Sequence, residues 1–490
     1  MNSVLKKTLI AGGALITLAA ASGAGLHWWI QGKLSKEAIV AQMESSWNCR
    51  AQIDSVTLVL MSSPARLQIS GCKITPRDAE VAKPYAQRAP LDPAGIQVSI
   101  DRAVLEVKLQ DLVSRRLNVQ QLILSEIGVR EEVTNEGESS LGVLFAKPVS
   151  GAGAVAAAHA DQASVTPPPG EVTPPQPEAP VAEPAPGPPA VSSHLQSDPE
   201  KVKRETKAVF AKELGFSIQV GRASLEGVSL HRVDHKSVTK TDISGLSFSI
   251  SEIDVDPDDL AAHNSFKLAL NGRLLQQGRV GPKDARRSAT LADLLFDGAG
   301  MVHPFDVESG QWQPVSDLRL TLKKGSVLGG YMKLGETGSK DLKKLDDYGI
   351  DLRDLSLGGP LLEDANIQVT FENDRSTLQQ DAHFAMPDFE LTLQKESWLN
   401  GAEDQHEMQV RITCGPKLQE QVSAGVKKLL GDDLGANVIK TLSDEKGRVY
   451  FDMRSSDRLS KPKVVPDVQR LLNRLLQGVG GGLFDGLLKK

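Results

Sequence analysis

No catalytic signature is present in this chain. A Gly-x-Ser-x-Gly elbow, a His-Glu-x-x-His pair, a Walker loop and a dinucleotide-binding glycine pattern are all missing, which removes the common routes to hydrolysis, metal-assisted chemistry and nucleotide use. The reading is therefore not an enzyme, with no catalytic residue, metal or cofactor assigned. Aromatic residues make up 4% of the chain, so platforms for stacking bases are scarce. Net charge is −6, and the absence of a basic excess argues against a nucleic-acid partner. Three cysteines, Cys49, Cys72 and Cys414, leave at least one thiol unpaired even in an oxidising compartment. A Cys49–Cys72 bridge stays open as an alternative. If the chain turns at Ser62-Ser63-Pro64-Ala65, however, Cys72 falls opposite Ser55 and not Cys49.

What is there is alternation. The 490 residues are 40% hydrophobic and 24% charged, a globular composition, and apolar residues recur at the period of a half-buried strand. The pattern runs through Val56-Leu58-Leu60, Leu67-Ile69-Gly71, Ile96-Val98-Ile100, Leu246-Phe248-Ile250, Phe266-Leu268-Leu270, Leu318-Leu320-Leu322, Ile367-Val369-Phe371, Phe389-Leu391-Leu393, Met408-Val410-Ile412 and Val449-Phe451-Met453. Short connections favour antiparallel pairing. Helices are expected only at residues 36–45, 109–115, 201–214, 417–430 and 467–476. So few helices cannot cover one long aliphatic face, which must close on itself, meet a second sheet or bury against something else.

Residues 8–30 carry no charge, follow Lys6 and Lys7, and end beside Trp28-Trp29. A helix of this length spans the roughly 30 Å of bilayer hydrocarbon, with the tryptophans at the interface. A cleaved signal peptide is the competing reading, since residues 19–24 are small. The apolar run past them favours an uncleaved anchor. Lys6 and Lys7 outweigh the mixed flank of Lys33, Lys36 and Glu37, placing the N-terminus in the cytoplasm and the body outside.

Residues 148–199 are rich in proline and alanine with acidic residues only, the composition of a disordered, extended linker. The expected organisation is an anchor at 1–34, a β unit at 35–147, the linker at 148–199, a second β-rich region at 200–458 and a tail at 459–490 with an amphipathic helix. A short echo supports related units on either side of the linker: Ile100-Asp-Arg102-Ala103-Val-Leu105-Glu106 and Val220-Gly-Arg222-Ala223-Ser-Leu225-Glu226.

Two polar clusters invite chemistry and have plainer readings. His231-Arg-Val-Asp234-His235 has the spacing of a helical metal pair, yet its surroundings read as strand and turn, and a solvated hairpin end is the expectation. Asp254, Asp256, Asp258 and Asp259 read as an acidic turn. In the tail, Val468, Leu471, Leu472, Leu475 and Leu476 share one helical face, which either caps the sheet or docks at an interface.

Four stretches stand out together: the anchor followed by a short helix and the pair 53–58 and 64–69; the run Ala103 to Leu109 with Arg116-Leu117-Asn118-Val119, Leu122-Ile123-Leu124 and Val129-Arg130-Glu131-Glu132; the strand array of 350–412; and the tail Lys461-Pro462-Lys463-Val464-Val465-Pro466-Asp467 with Gly480-Gly481-Gly482. In these stretches the chain resembles the AsmA-like, TamB-related family of membrane-anchored envelope proteins. The linker and the shorter body depart from the family pattern. The resemblance implies a mainly β fold: an elongated, curved antiparallel sheet, groove-like or partly closed, with an N-terminal transmembrane helix. It also implies an inner-membrane, periplasm-facing protein that moves or organises phospholipid between envelope membranes. The candidate lipid-facing residues are Val56, Leu58, Leu60, Leu67, Ile69, Val98, Ile100, Leu246, Phe248, Ile250, Leu268 and Leu270, with Trp28 and Trp29 as interfacial anchors. The alternative function is a non-enzymatic envelope scaffold that binds partner proteins through its sheet edges or C-terminal helix.

Overall fold

A computed structural model of the chain describes residues 35–59, 62–148, 209–280, 287–329, 358–459 and 461–466. These belong to one compact unit, 1–149 together with 209–490. The expected anchor at 8–30, Trp28, Trp29, Leu60, the linker and the helix at 467–476 lie outside the described residues. No helix among the described residues is long and apolar enough to cross a membrane.

The described chain is mainly β, one long open sheet with few helices. β1 (Cys49–Gln52) and β2 (Ser55–Val59) lie end to end along one edge of β3 (Ala65–Pro76). Then β4 (Val98–Val107), β5 (Arg116–Val133), β6 (Ser217–Asp234), β7 (Thr239–Val255), β8 (Asn264–Val280) and β9 (Arg287–Phe305) follow in chain order, each paired with the next. β9 pairs with β10 (Trp312–Leu322) and β11 (Val327–Leu328), which continue to β13 (Ala365–Glu372) and β12 (Gly359–Pro360). From β13 the sheet passes through β14 (Arg375–Leu378), β17 (Trp398–Asn400), β18 (Gln405–Cys414) and β19 (Tyr450–Arg458) to β20 (Lys461–Pro466). β15 (Ala382–Ala385) pairs with β16 (Phe389–Leu393), which pairs with β18.

The sheet is mixed, which corrects the antiparallel expectation. β5 and β6 run parallel from Arg116↔Ser217 to Val133↔Asp234. An antiparallel partner can follow a tight turn, but a parallel one needs a connection that returns the length of the strand. For the 18 residues of β5 that is about 60 Å at roughly 3.3 Å per residue. The connection from Val133 to Ser217 contains residues 150–208, long enough to make the return. The strands before and after that segment therefore share one sheet.

Four packed clusters hold parts of this sheet. The first joins Val40 of α1 (Lys36–Ser46) and Leu141 and Leu144 of α2 (Ser140–Leu144) to Cys49, Ala51, Ile53, Ile74, Val98, Ile100 and Val129. The second packs Leu322, Leu361 and Ala365 with Phe384 and Met386, drawing in Leu320, Ile367, Leu391 and Leu393. The third sets α3 (Pro416–Leu430) and α4 (Asp432–Leu442) against Cys414 and Val449 through Leu418, Val422 and Leu442. The fourth gathers Ala211, Val255, Leu260 and Phe305.

Several local expectations change. Of the helix expected at 201–214, the described part is a single 3₁₀ turn, Ala211–Leu214, stopped by Gly215 at φ +69°. Phe210 before it forms a bridge to Gln311 instead. Ser55 lies opposite Ser70, not Cys72, because the β2–β3 register is centred one residue earlier than the turn at 62–65 suggested, which moves each partner by two. Cys49 pairs with Pro76, four register positions from Cys72. At about 3.3 Å per residue this exceeds bridging distance, and all three cysteines are free and buried. Helix α4 was not anticipated. In the tail, Lys461–Pro466 joins the sheet as β20.

Candidate functional site

In-register neighbours in a sheet share a face, so the ladder registers can be followed from strand to strand. One row runs Leu58, Leu67, Leu105 and Leu122 on β2–β5, then Ala223, Ile250 and Leu268 on β6–β8, and ends with Gly300, Leu318 and Val369 on β9, β10 and β13. Beside it run Val56, Ile69, Ala103 and Leu124, then Leu225, Phe248 and Leu270, then Gly298, Leu320 and Ile367. Neither row contains a polar side chain. The opposite face carries Arg66, Glu106, Gln121, Arg222, Ser251 and Lys267 in one register line. Two ion pairs mark that face, Arg66 to Glu106 at 3.7 Å and Lys267 to Glu252 at 2.6 Å.

A third apolar row, Ala51, Ile74, Val98, Val129, Leu230, Ile243, Leu274 and Leu294, lies on the same face. Strict alternation does not produce it. Between the second and third rows β8 and β9 advance four residues, Leu270 to Leu274 and Gly298 to Leu294, as a regular strand should. β3 to β7 advance five, as in Ile69 to Ile74, Leu124 to Val129 and Leu225 to Leu230. The extra residue reverses the phase of each strand, as a β-bulge does. Left-handed residues sit in this interval: Gly71 (φ +66°), Glu126 (+51°), Gly227 (+65°) and Gly245 (+58°). Five adjacent strands carry the extra residue on one line, so the registers on its two sides agree, with a local irregularity between β6 and β7 at Val228↔Leu246. The apolar face continues across that line.

Coverage of this face is uneven. α1 and α2 seal the third row at β1–β5, and Val98 and Ile100 are 9% and 6% exposed within that core. These two candidate lipid-facing residues are therefore core residues, because α1 and α2 fold over them. At the other end the first two rows enter the second cluster, where Leu320, Ile367 and Val369, like Leu391 and Leu393, pack against its buried residues. Between these limits Leu67, Leu105, Leu122, Leu225, Phe248, Ile250, Leu268 and Leu270 are half-buried, and none belongs to a packed cluster of described residues. Leu246 is half-buried beside Gly272, where a Cβ would stand 3.0 Å from the Leu246 Cα. Val56 and Ile69 border the first cluster, and Leu58 is 36% exposed at the edge.

Sequence patterning missed Leu105, Leu122, Leu124 and Leu225 as members of this face. The echo on the two sides of the linker was their signal: Ala103 with Leu225, and Leu105 with Ala223, stand on the same rows, separated only by β5.

The polar candidates resolve into separate surface pairs. His231 Nδ1 lies 2.6 Å from Asp242 Oδ1, and His235 Nε2 lies 2.8 Å from Glu132 Oε1, so the two imidazoles serve different strands beside the β6–β7 turn. Asp256 accepts from the backbone N–H of Asp258, and Asp259 from that of Ala262, turn-capping roles. No group of three metal-ligating side chains occurs among the described residues. A polar depression is lined by Glu372, Arg375, Trp398, Asn400 and Glu403, and on its wall the Arg375 guanidinium stacks 4.2 Å from the centre of the Trp398 ring.

His263 offers a pH probe of the β7–β8 connection. Its Nδ1 lies 2.6 Å from Asp254 Oδ2, and this hydrogen bond, aided by the carboxylate's charge, raises the imidazole pKa. A raised folded-state value means the pair stabilises the fold below the unfolded pKa of about 6.5. That contribution is lost as pH rises through the higher folded value. In an NMR titration the His263 midpoint is expected above that of a free histidine and to fall back in Asp254→Asn. An unchanged midpoint in the variant would refute the pairing.

Comparison with protein-family models, with curated proteins and with solved structures finds no match to this chain.

Proposed function

We propose that the chain is an AsmA-like, inner-membrane-anchored envelope protein whose apolar sheet face shelters phospholipid acyl chains outside the cytoplasm. In this reading residues 8–30 are the single anchor, the N-terminus is cytoplasmic, and the body stands in the periplasm as a partly open groove. The observation that carries it is the pair of apolar rows that, among the described residues, meets no packed cluster between the two sealed ends, with Leu124, at 3% exposed, the one buried member. A soluble surface rarely leaves so long an apolar strip uncovered unless it has an occupant.

Magnitudes support lipid as that occupant. Strands lie about 4.8 Å apart, so the rows from β2 to β10 extend roughly 38 Å. A bilayer's hydrocarbon core of about 30 Å is two acyl chains deep, so one chain fits along a row with room to slide. Each methylene withdrawn from water contributes about 0.8 kcal/mol, and an aliphatic floor provides that without choosing a headgroup. The rows contain no hydrogen-bonding side chain, which matches a ligand that needs none.

Mass spectrometry of the purified full chain tests this. Phospholipid is expected to co-purify, and Leu268→Asp is expected to lower its amount roughly tenfold, equivalent to about 1.4 kcal/mol. Ser249→Asp, on the opposite face, should leave it unchanged. Wild-type protein without phospholipid, together with an intact envelope in cells carrying Leu58→Asp or Leu268→Asp, would sink the reading.

A further inference from the structure

β1 and β2 lie along the same edge of β3, and their outer sides are treated differently. At Ala51 of β1 and at Ile53 just after it, outward backbone groups are closed by side chains. Ala51 N donates to Glu44 Oε1 at 3.1 Å, and the Tyr85 hydroxyl both accepts from Ile53 N at 3.1 Å and donates to Ile53 O at 3.0 Å. Among the described residues β2 has no such closure. Its five residues pair with β3, and the one further contact is the Ser62 hydroxyl on Val59 O.

The usual guards of a free edge are also missing from β2. Ser55-Val56-Thr57-Leu58-Val59 contains no charge and no proline, and Leu58 and Val59 are 36% and 44% exposed. The terminal strand at the other end of the sheet, β20, loses two backbone donors at Pro462 and Pro466. Charges and prolines are how exposed strands avoid pairing with other chains. One end of this sheet has them and the other does not.

Strand direction and side-chain face together set which way an L-residue turns its N–H and C=O. Ala51 and Ile53, whose side chains lie on the apolar face, turn theirs outward. Val56 and Leu58 lie on that same face of a strand running the same way, so theirs also point to the open edge.

We propose that β2 pairs antiparallel with β2 of a second copy of this chain, about a two-fold axis at Thr57. Thr57 then stands opposite its own copy, Val56 opposite Leu58, and Ser55 opposite Val59. Val56 and Leu58 are the residues with outward donors and acceptors, so the two copies exchange N–H···O bonds through them. No charge meets a like charge across the junction. A two-fold normal to the sheet keeps both apolar faces on one side, so the two rows continue from one copy into the next. The pairing rests on the edge and not on what occupies the face.

A cysteine at the axis tests it. The native thiols do not compete: burial pushes Cys49 and Cys72 up to about 12 and Cys414 up to about 11, so few are thiolate at neutral pH. Facing residues of a non-hydrogen-bonded pair approach to about 4.5 Å between Cα atoms, within disulfide range. Full-length Thr57→Cys is expected to form a covalent dimer on mild oxidation roughly tenfold or more faster than Ser309→Cys, an exposed loop control. Adding Leu58→Pro removes an outward donor while leaving the bonds to β3, and should abolish the excess. Multi-angle light scattering of the unmodified chain should give a dimer that Leu58→Pro converts to monomer. Equal crosslinking at positions 57 and 309, or a monomeric wild type at the same concentration, would overturn the proposal whether or not lipid is bound.

Discussion

Glu44→Ala is expected to destabilise the fold by about 3–5 kcal/mol, the usual cost of removing one partner from a buried ion pair. The Glu44 side chain is 5% exposed and that of Arg88 12%. The guanidinium grips the carboxylate with two bonds, of 2.7 and 3.1 Å. Alanine strands the Arg88 charge and also orphans the N–H of Ala51, a buried donor at the edge of β1. Arg88 keeps its bonds to the carbonyl oxygens of Lys83 and Val81, so it cannot simply swing into water. Urea denaturation of the single and paired variants separates charge from packing. Glu44→Leu with Arg88→Met should recover much of the loss, because no unpaired charge then remains. A single Glu44→Ala variant within about 1 kcal/mol of wild type would mean that the pair is solvated and worth no more than a surface bridge.

This cluster also marks where sequence patterning stops being informative. Alternation in Leu67-Ile69, Phe248-Ile250 and Leu268-Leu270 was enough to place those residues on one face, since a strand has only two. Val98 and Ile100 alternate just as well, and nothing in their own segment says that α1 and α2 will cover them. Coverage is a long-range property, decided by Val40, Leu141 and Leu144 on other elements. Strand direction at β5–β6 was illegible for a related reason: a long connection leaves either direction open, whereas a tight turn permits only one. Helix α4 was hidden by its glycines. Gly431 reads as the end of α3, and Gly435 lowers helix propensity within α4. In the structure a Cβ at Gly435 would stand 2.8 Å from the Lys427 Cα, so the small residue is what lets the two helices approach.

The bulge line was the costliest feature to miss, and it makes the second large prediction. Gly71→Val is expected to cost about 3 kcal/mol or more. A left-handed φ of +66° is strained for any residue with a Cβ, by roughly 1–2 kcal/mol and more for a β-branched one. The new Cβ would also run into the Asp54 carboxylate, with the Asp54 Cβ at 2.9 Å, and crowding of this kind typically adds about 1–3 kcal/mol. The alternative for the chain is to give up the extra residue. Then Ile69 and Cys72, which now face the same core, would fall on opposite sides of β3, and every residue on one side of the break would exchange faces. Glu126 is the converse case, a residue with a side chain already held at φ +51° on the same line. Glu126→Gly relieves strain while increasing unfolded-state freedom, and the two nearly cancel. Its effect should stay within about 1 kcal/mol. Denaturant midpoints at constant m-value would measure both variants. Should Gly71→Val prove as mild as Glu126→Gly, the phase of β3 would not depend on a left-handed residue there, and the apolar face would owe its continuity to the neighbouring strands alone.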